Sequence, residues 1–115
     1  MVDTVKTRQD LKNRAAKSLA IIEPGEALSP EDDDTLDDLV DPLIAQLAQD
    51  GIVYIDDSEE IDVVFFVPLA RLLANIAGPD FGSPINEAAK FRDENELRRL
   101  AAVKPTYQTL RTVGY

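Results

Sequence analysis

The chain has 115 residues, with 12 Lys and Arg against 22 Asp and Glu, a formal charge of −10, and no Cys, His or Trp. That length suits one domain with an extended arm. Without Cys or His it has no disulfide framework, no thiolate or imidazole metal ligand and no histidine-based hydrolytic triad. The remaining catalytic options are carboxylates with Mg²⁺ or a Lys nucleophile.

The charge is segregated along the chain. Residues 1–22 carry five bases and two acids, residues 23–62 carry fifteen acids and no base, and residues 63–115 carry seven bases and five acids. An excess of acid disfavours broad binding to duplex DNA, whose phosphates need cationic partners. It suits a solvated face, a surface that repels DNA, or one that imitates it.

Residues 1–10 are polar and charged, so no secretory signal is expected there. Thr7-Arg8-Gln9-Asp10 has the spacing of an N-terminal cap, and Leu11, Ala15, Leu19 and Ile22 recur at helical intervals, predicting a first helix over about 8–22. Glu23-Pro24-Gly25 ends it. Ser29-Pro30-Glu31-Asp32 is a strong helix start, followed by a stripe of Leu36, Leu39, Val40, Leu43, Ile44 and Leu47 and a stop at Gly51. The second helix is therefore predicted over about 30–50, kinked at Pro42.

Ile52-Val53-Tyr54-Ile55 favours a short extended segment. Asp57 or Ser58 would cap a third helix over about 59–77, apolar around much of its circumference and so enclosed by the others. The window 61–78 is long enough to span a membrane, but Asp62, Pro68, Arg71 and Asn75 interrupt it. The core helix of a soluble, intracellular bundle is the better expectation, with no membrane partner. Ser83-Pro84 repeats the start signal, predicting a fourth helix through Ile85, Ala88, Ala89, Arg92, Leu97 and Leu100 to about Val103, closed by Lys104-Pro105.

Residues 106–115 (TYQTLRTVGY) are β-prone, yet no long strand elsewhere could pair with them. In an extended arm Tyr107 and Val113 share one face, while Leu110 lies on the other. Such an arm would complete its hydrogen bonds on a neighbour, making Tyr107, Leu110, Val113 and Tyr115 candidate docking residues. The expected fold is all-α: a small four-helix bundle over 1–104 with an extended C-terminal arm over 105–115.

Asp32, Asp33, Asp34, Asp37, Asp38 and Asp41 crowd the non-stripe face of the second helix. Their spacing fails the Ca²⁺-loop pattern, since position six from Asp32 is Asp37 and position twelve is Leu43. The five glycines are isolated, so no phosphate loop is present. No cofactor, metal or enzymatic activity is expected.

One run supports a more specific reading. The sequence from Leu19 to Asp32 passes from a helix through Pro24-Gly25-Glu26-Ala27-Leu28-Ser29-Pro30-Glu31-Asp32 into a helix ending Ala-Gln-Asp-Gly-Ile-Val. It resembles the head-to-tail adaptor (head completion, packaged-DNA stabilisation) proteins of tailed bacteriophages, in element order and lengths over about 10–115. The resemblance implies a structural connector assembled in the host cytoplasm and located at the virion neck. It implies a homo-oligomeric ring, typically of twelve copies, beneath the portal protein and above downstream neck or tail proteins. DNA would pass through it without specific binding. Asp33, Asp34, Asp37, Asp38 and Asp41 would then form the acidic channel or subunit-contact face. Arg8, Lys12 and Arg14 on the basic first helix of one copy would face the acids of the next. The competing class is an acidic DNA-mimic inhibitor, which needs no docking arm and would bind a basic partner with strong salt dependence.

Overall fold

A computed structural model describes residues 4–23 and 25–113, and the side chains among them as far as residue 103. Its first helix, α1 (Arg8–Ser18), opens on a reciprocal cap. The Asp10 amide donates to the Thr7 hydroxyl at 3.1 Å, and the Thr7 amide donates to the Asp10 carboxylate at 3.0 Å. Ser29 caps α2 (Pro30–Gln49) with its hydroxyl alone, which accepts from the Asp32 amide at 3.2 Å, and Pro30 takes the first helical position. The helix is continuous across Pro42, which is exposed.

Both helices close in the same turn. After α2 the Ile52 amide donates to the Leu47 carbonyl at 2.9 Å and Gly51 donates to Ala48 at 3.1 Å, with Gly51 at φ +69°. After α1 the Ile21 amide donates to Ala16 and Ala20 donates to Lys17, but here an alanine holds the left-handed position, at φ +60°. This turn ends α1 at Ser18, short of the expected residue 22. Beyond it Leu19, Ile21 and Ile22 are partly buried against the core.

The third helix, α3 (Val63–Ala77), begins after the expected residue 59 because residues 61 and 62 are used otherwise. They form β2 (Ile61–Asp62), antiparallel to β1 (Val5–Lys6), with Val5 opposite Asp62 and Lys6 opposite Ile61. The Val63 amide donates to the Thr4 carbonyl at 3.0 Å, and the Asp62 carboxylate accepts from the Val64 amide at 2.9 Å. Residues 52–55, expected to be extended, are a bend and irregular backbone with no strand partner among the described residues.

A 3-10 turn (Gly78–Phe81) leads towards α4 (Glu87–Val113). The Ser83 amide donates to the Gly78 carbonyl at 2.8 Å, and a Cβ on Gly78 would lie 2.7 Å from the Ser83 carbonyl oxygen. Ser83 is thus committed to closing the turn and does not cap α4, as its position before Pro84 had suggested. Asn86 is the cap instead, its side chain accepting from the Ala89 amide at 3.0 Å. Asn75 on α3 grips that cap from both sides, accepting from the Asn86 amide and donating to its carbonyl, each at 2.8 Å.

The fold is mostly helical, with four α-helices and one two-residue strand pair. The backbone of α4 continues as helix through Pro105 to Val113, where an extended arm was expected. Proline removes one intrahelical hydrogen bond, but a lone strand would leave every backbone group without a partner, whereas a helix satisfies them within the segment. Tyr107, Leu110, Val113 and Tyr115 lie outside the residues whose side chains the structure describes.

Helix α3 is central and packs against each of the other three. Leu11, Leu36, Val40, Leu47, Leu69, Leu72, Leu73 and Leu97 are fully buried around it. Burying each such side chain contributes about 1.5–3 kcal/mol. The stretch Val63–Phe81 is long and apolar enough to span a bilayer, at mean hydropathy 1.4, and half of it is buried inside this fold. On α4 the core side is carried by Asp93 and Leu97, with Leu100 and Ala101 partly buried. Ala88 and Arg92 of the same helix are exposed, as is Ile85, which precedes it.

Candidate functional site

The Thr7 cap fixes where α1 begins and so places Arg8 in its first turn and Lys12 one turn later. Across from them α2 presents Asp33, Asp37 and Asp41 at successive i, i+4 positions. Arg8 reaches two of these acids: its Nε lies 2.7 Å from Asp37 Oδ1 and its Nη1 lies 2.8 Å from Asp41 Oδ1. Its Nη2 also donates to the Asp37 carbonyl at 3.0 Å, and its Nη1 to the Ser58 hydroxyl at 3.0 Å. Lys12, with only 7% of its side chain exposed, bridges Asp33 at 3.2 Å and Asp37 at 3.0 Å.

The electrostatics follow from these contacts. Hydrogen bonds from Arg8 and then Lys12 hold the Asp37 carboxyl below the ordinary carboxylate range. Burial opposes charge on Lys12, but hydrogen bonds to Asp37 and Asp33 together outweigh it and raise its pKa. The Arg8 guanidinium is likewise stabilised in its charged form, chiefly by Asp41 and Asp37.

The expected subunit-interface trio therefore divides. Arg8 and Lys12 are engaged with acids of their own chain, because α1 packs beside α2 and brings the complementary charges together within one fold. Arg14, about 200° around α1 from Lys12, is exposed.

The acidic face of α2 divides in the same way. Asp33, Asp37 and Asp41 are paired with Arg8 and Lys12 of α1, whereas Asp34 and Asp38, exposed and one helical turn apart, have no cationic partner among the described residues. Among the described residues no group of three or more acids is arranged to hold a metal ion.

Two further surfaces were not singled out from the sequence. One is a cleft of about 390 Å³ at the β1–β2 end of the fold. Its apolar lining includes Val5, Tyr54 and Phe65, and its acids include Asp56, Glu60 and Asp62. Tyr54 stands 76% exposed beside it. The other is the outer face of α4, where Phe91 is 66% exposed and Arg98 lies nearly in line with it, two turns on. The signal for Phe91 was present: it lies six residues from Leu97, about 120° around the helix from the core side.

Between α3 and α4 sits a buried carboxylate. Asp93 is 1% exposed and accepts from Arg71 Nη1 at 3.3 Å and Arg92 Nε at 3.4 Å. Both arginines reach solvent, so this group ties α4 to α3 while its counter-charges stay wet. Comparison with family models, with curated proteins and with solved structures finds no match to this chain.

Proposed function

We propose that this chain is a structural head-to-tail adaptor of a tailed bacteriophage, without catalytic activity. As a small four-helix bundle it takes its place in a ring, twelve copies by the resemblance, beneath the portal protein. The ring extends the DNA channel towards downstream neck and tail proteins. The C-terminal segment with Tyr107, Leu110, Val113 and Tyr115 is its docking element, assembled in the host cytoplasm and retained at the virion neck.

The observation that carries this reading is the exposed pair Asp34 and Asp38, whose charge the neighbouring helix does not cancel. A channel wall needs fixed, unneutralised negative charge, so that phosphates are repelled and DNA slides without adhering. Asp33, Asp37 and Asp41 serve a different end in this scheme: they hold α1 to α2 and keep the wall rigid.

The same two exposed acids favour a second reading, an acidic mimic that occupies the basic groove of a nucleic-acid-binding protein. The experiment that separates the two is electron microscopy of purified particles with the chain tagged and located. Ordered copies at the neck are expected. A chain absent from particles, yet captured by a basic partner with affinity that falls steeply with salt, would replace the adaptor with the mimic.

A further inference from the structure

The acidic cleft and the outer face of α4 complement each other, and one copy cannot bring them together. The α3–α4 pair is antiparallel, with Arg71 opposite Asp93 and Asn75 opposite Asn86. Tyr54 lies near Ala101 of α4, whereas Phe91 stands ten residues earlier, about 15 Å along the helix. The cleft offers an apolar floor at Phe65 and two carboxylates, Asp56 and Glu60, with no cationic partner among the described residues. The face of α4 offers the reverse, an exposed aromatic ring with a cation two turns further along the same face. Arg98 donates to the neutral Asn95 side chain at 3.0 Å and has no acidic partner among the described residues. Aromatic residues and arginine are the side chains enriched at protein interfaces.

We propose that this chain self-associates head to tail, the cleft beside Tyr54 of one copy receiving Phe91 and Arg98 of the next. The occupant is a second copy because the charges match within one sequence. Residues 23–62, which supply the acids of the cleft, contain no base, so a like segment would be repelled, whereas α4 brings the missing cation. The two surfaces do not overlap, so each copy can give and receive, and the contact repeats from copy to copy, as a ring built from one heterologous interface requires. This contact replaces the one expected from Arg8 and Lys12, whose charges are already engaged. It deepens the adaptor reading by naming the surfaces that join its subunits.

The absence of cysteine permits a direct test. An Ala88→Cys chain carrying a nitroxide, one turn before Phe91 on the exposed side of α4, is mixed at about 1 mM with isotope-labelled wild-type chain, a concentration that reveals weak contacts. Broadening centred on the cleft is expected, at the amides of Val5, Tyr54, Asp56, Glu60, Asp62 and Phe65, with the far ends of α2 and α4 spared. Phe91→Ser or Arg98→Glu in the nitroxide chain should weaken the association about tenfold, while the circular dichroism of each variant matches that of the parent because both side chains are exposed. Pairing Arg98→Glu with Glu60→Lys in the labelled chain should restore the broadening. Uniform broadening, or broadening that both variants leave intact, would overturn the contact. Copies at the neck with uniform broadening would overturn this contact and leave the adaptor reading standing. Localised broadening by a chain absent from particles would do the opposite.

Discussion

The Arg8 guanidinium meets Asp37 twice, its Nε on the carboxylate at 2.7 Å and its Nη2 on the main-chain carbonyl at 3.0 Å. A single arginine thereby fixes both the side chain and the backbone of the facing helix. The Asp37 side chain is 40% exposed, so solvent screens the pair and its worth is modest. A double-mutant cycle on Arg8→Ala and Asp37→Ala should return a coupling of about 1 kcal/mol in urea unfolding.

The acid limb of the stability curve should carry the same signature. The Asp37 carboxyl is held below its ordinary range, so its contribution is complete above about pH 4 and is lost as the pH falls further. Asp37→Asn should flatten the decline below about pH 4 relative to wild type. Lys12 acts at the other end, its raised pKa keeping its contribution intact until the pH rises above 10.5. Denaturation midpoints across pH for the two chains check the sign of each limb.

Ala20→Gly should stabilise the chain by about 0.5–1 kcal/mol, because a left-handed alanine is strained and glycine is not. Ala20 is exposed, so the change removes no buried surface. Chemical denaturation at neutral pH measures the gain. A loss would mean that the freedom glycine adds to the unfolded chain outweighs the strain it relieves.

Removing different members of the Asp93 cluster should have unequal effects. Arg71→Leu leaves a carboxylate that is 1% exposed with only Arg92, at 3.4 Å, and should cost about 2–3 kcal/mol. Asp93→Leu fills the same space with an apolar group while Arg71 and Arg92 turn to water, and should remain within about 1 kcal/mol of wild type. Equal losses from the two variants would show that the pair itself, and not the stranded charge, sets the cost.

Deleting residues 106–115 should leave thermal unfolding nearly unchanged, since among the described side chains Ala101 is the last that packs on the core. Incorporation into particles should be lost if this segment is the docking element. Normal incorporation of the truncated chain would remove that role from Tyr107, Leu110, Val113 and Tyr115.

What the sequence revealed was local. Thr7 with Asp10, Ser29 with Pro30, and Gly51 all act within one turn of themselves, and each does in the structure what its spacing predicts. What it hid depended on distant partners. Nothing near Val5 announces that it pairs with Asp62, and nothing near Ser83 announces that its amide is taken by Gly78. Asn86 looked unremarkable as a cap until Asn75 was seen to hold it. The opposite charges of the first two helices were visible, but their spacing along the chain could not say whether they would meet within one copy or between two.

The strap formed by β1 also bears on the order in which the fold assembles. Asn75 and Asn86 are 11 residues apart, so the α3–α4 hairpin closes a short loop, whereas Arg8 and Ser58 are separated by 50. Closing the longer loop costs more chain entropy, which favours the hairpin as the early structure and the N-terminal strap as the last to dock. The strap is also thin, with two residues per strand. The Val63 amide, bonded to Thr4, should therefore exchange its hydrogen well before that of Leu69 at the centre of α3. Because Val5 belongs to both the strap and the cleft, a strap that opens would also open one wall of that cleft.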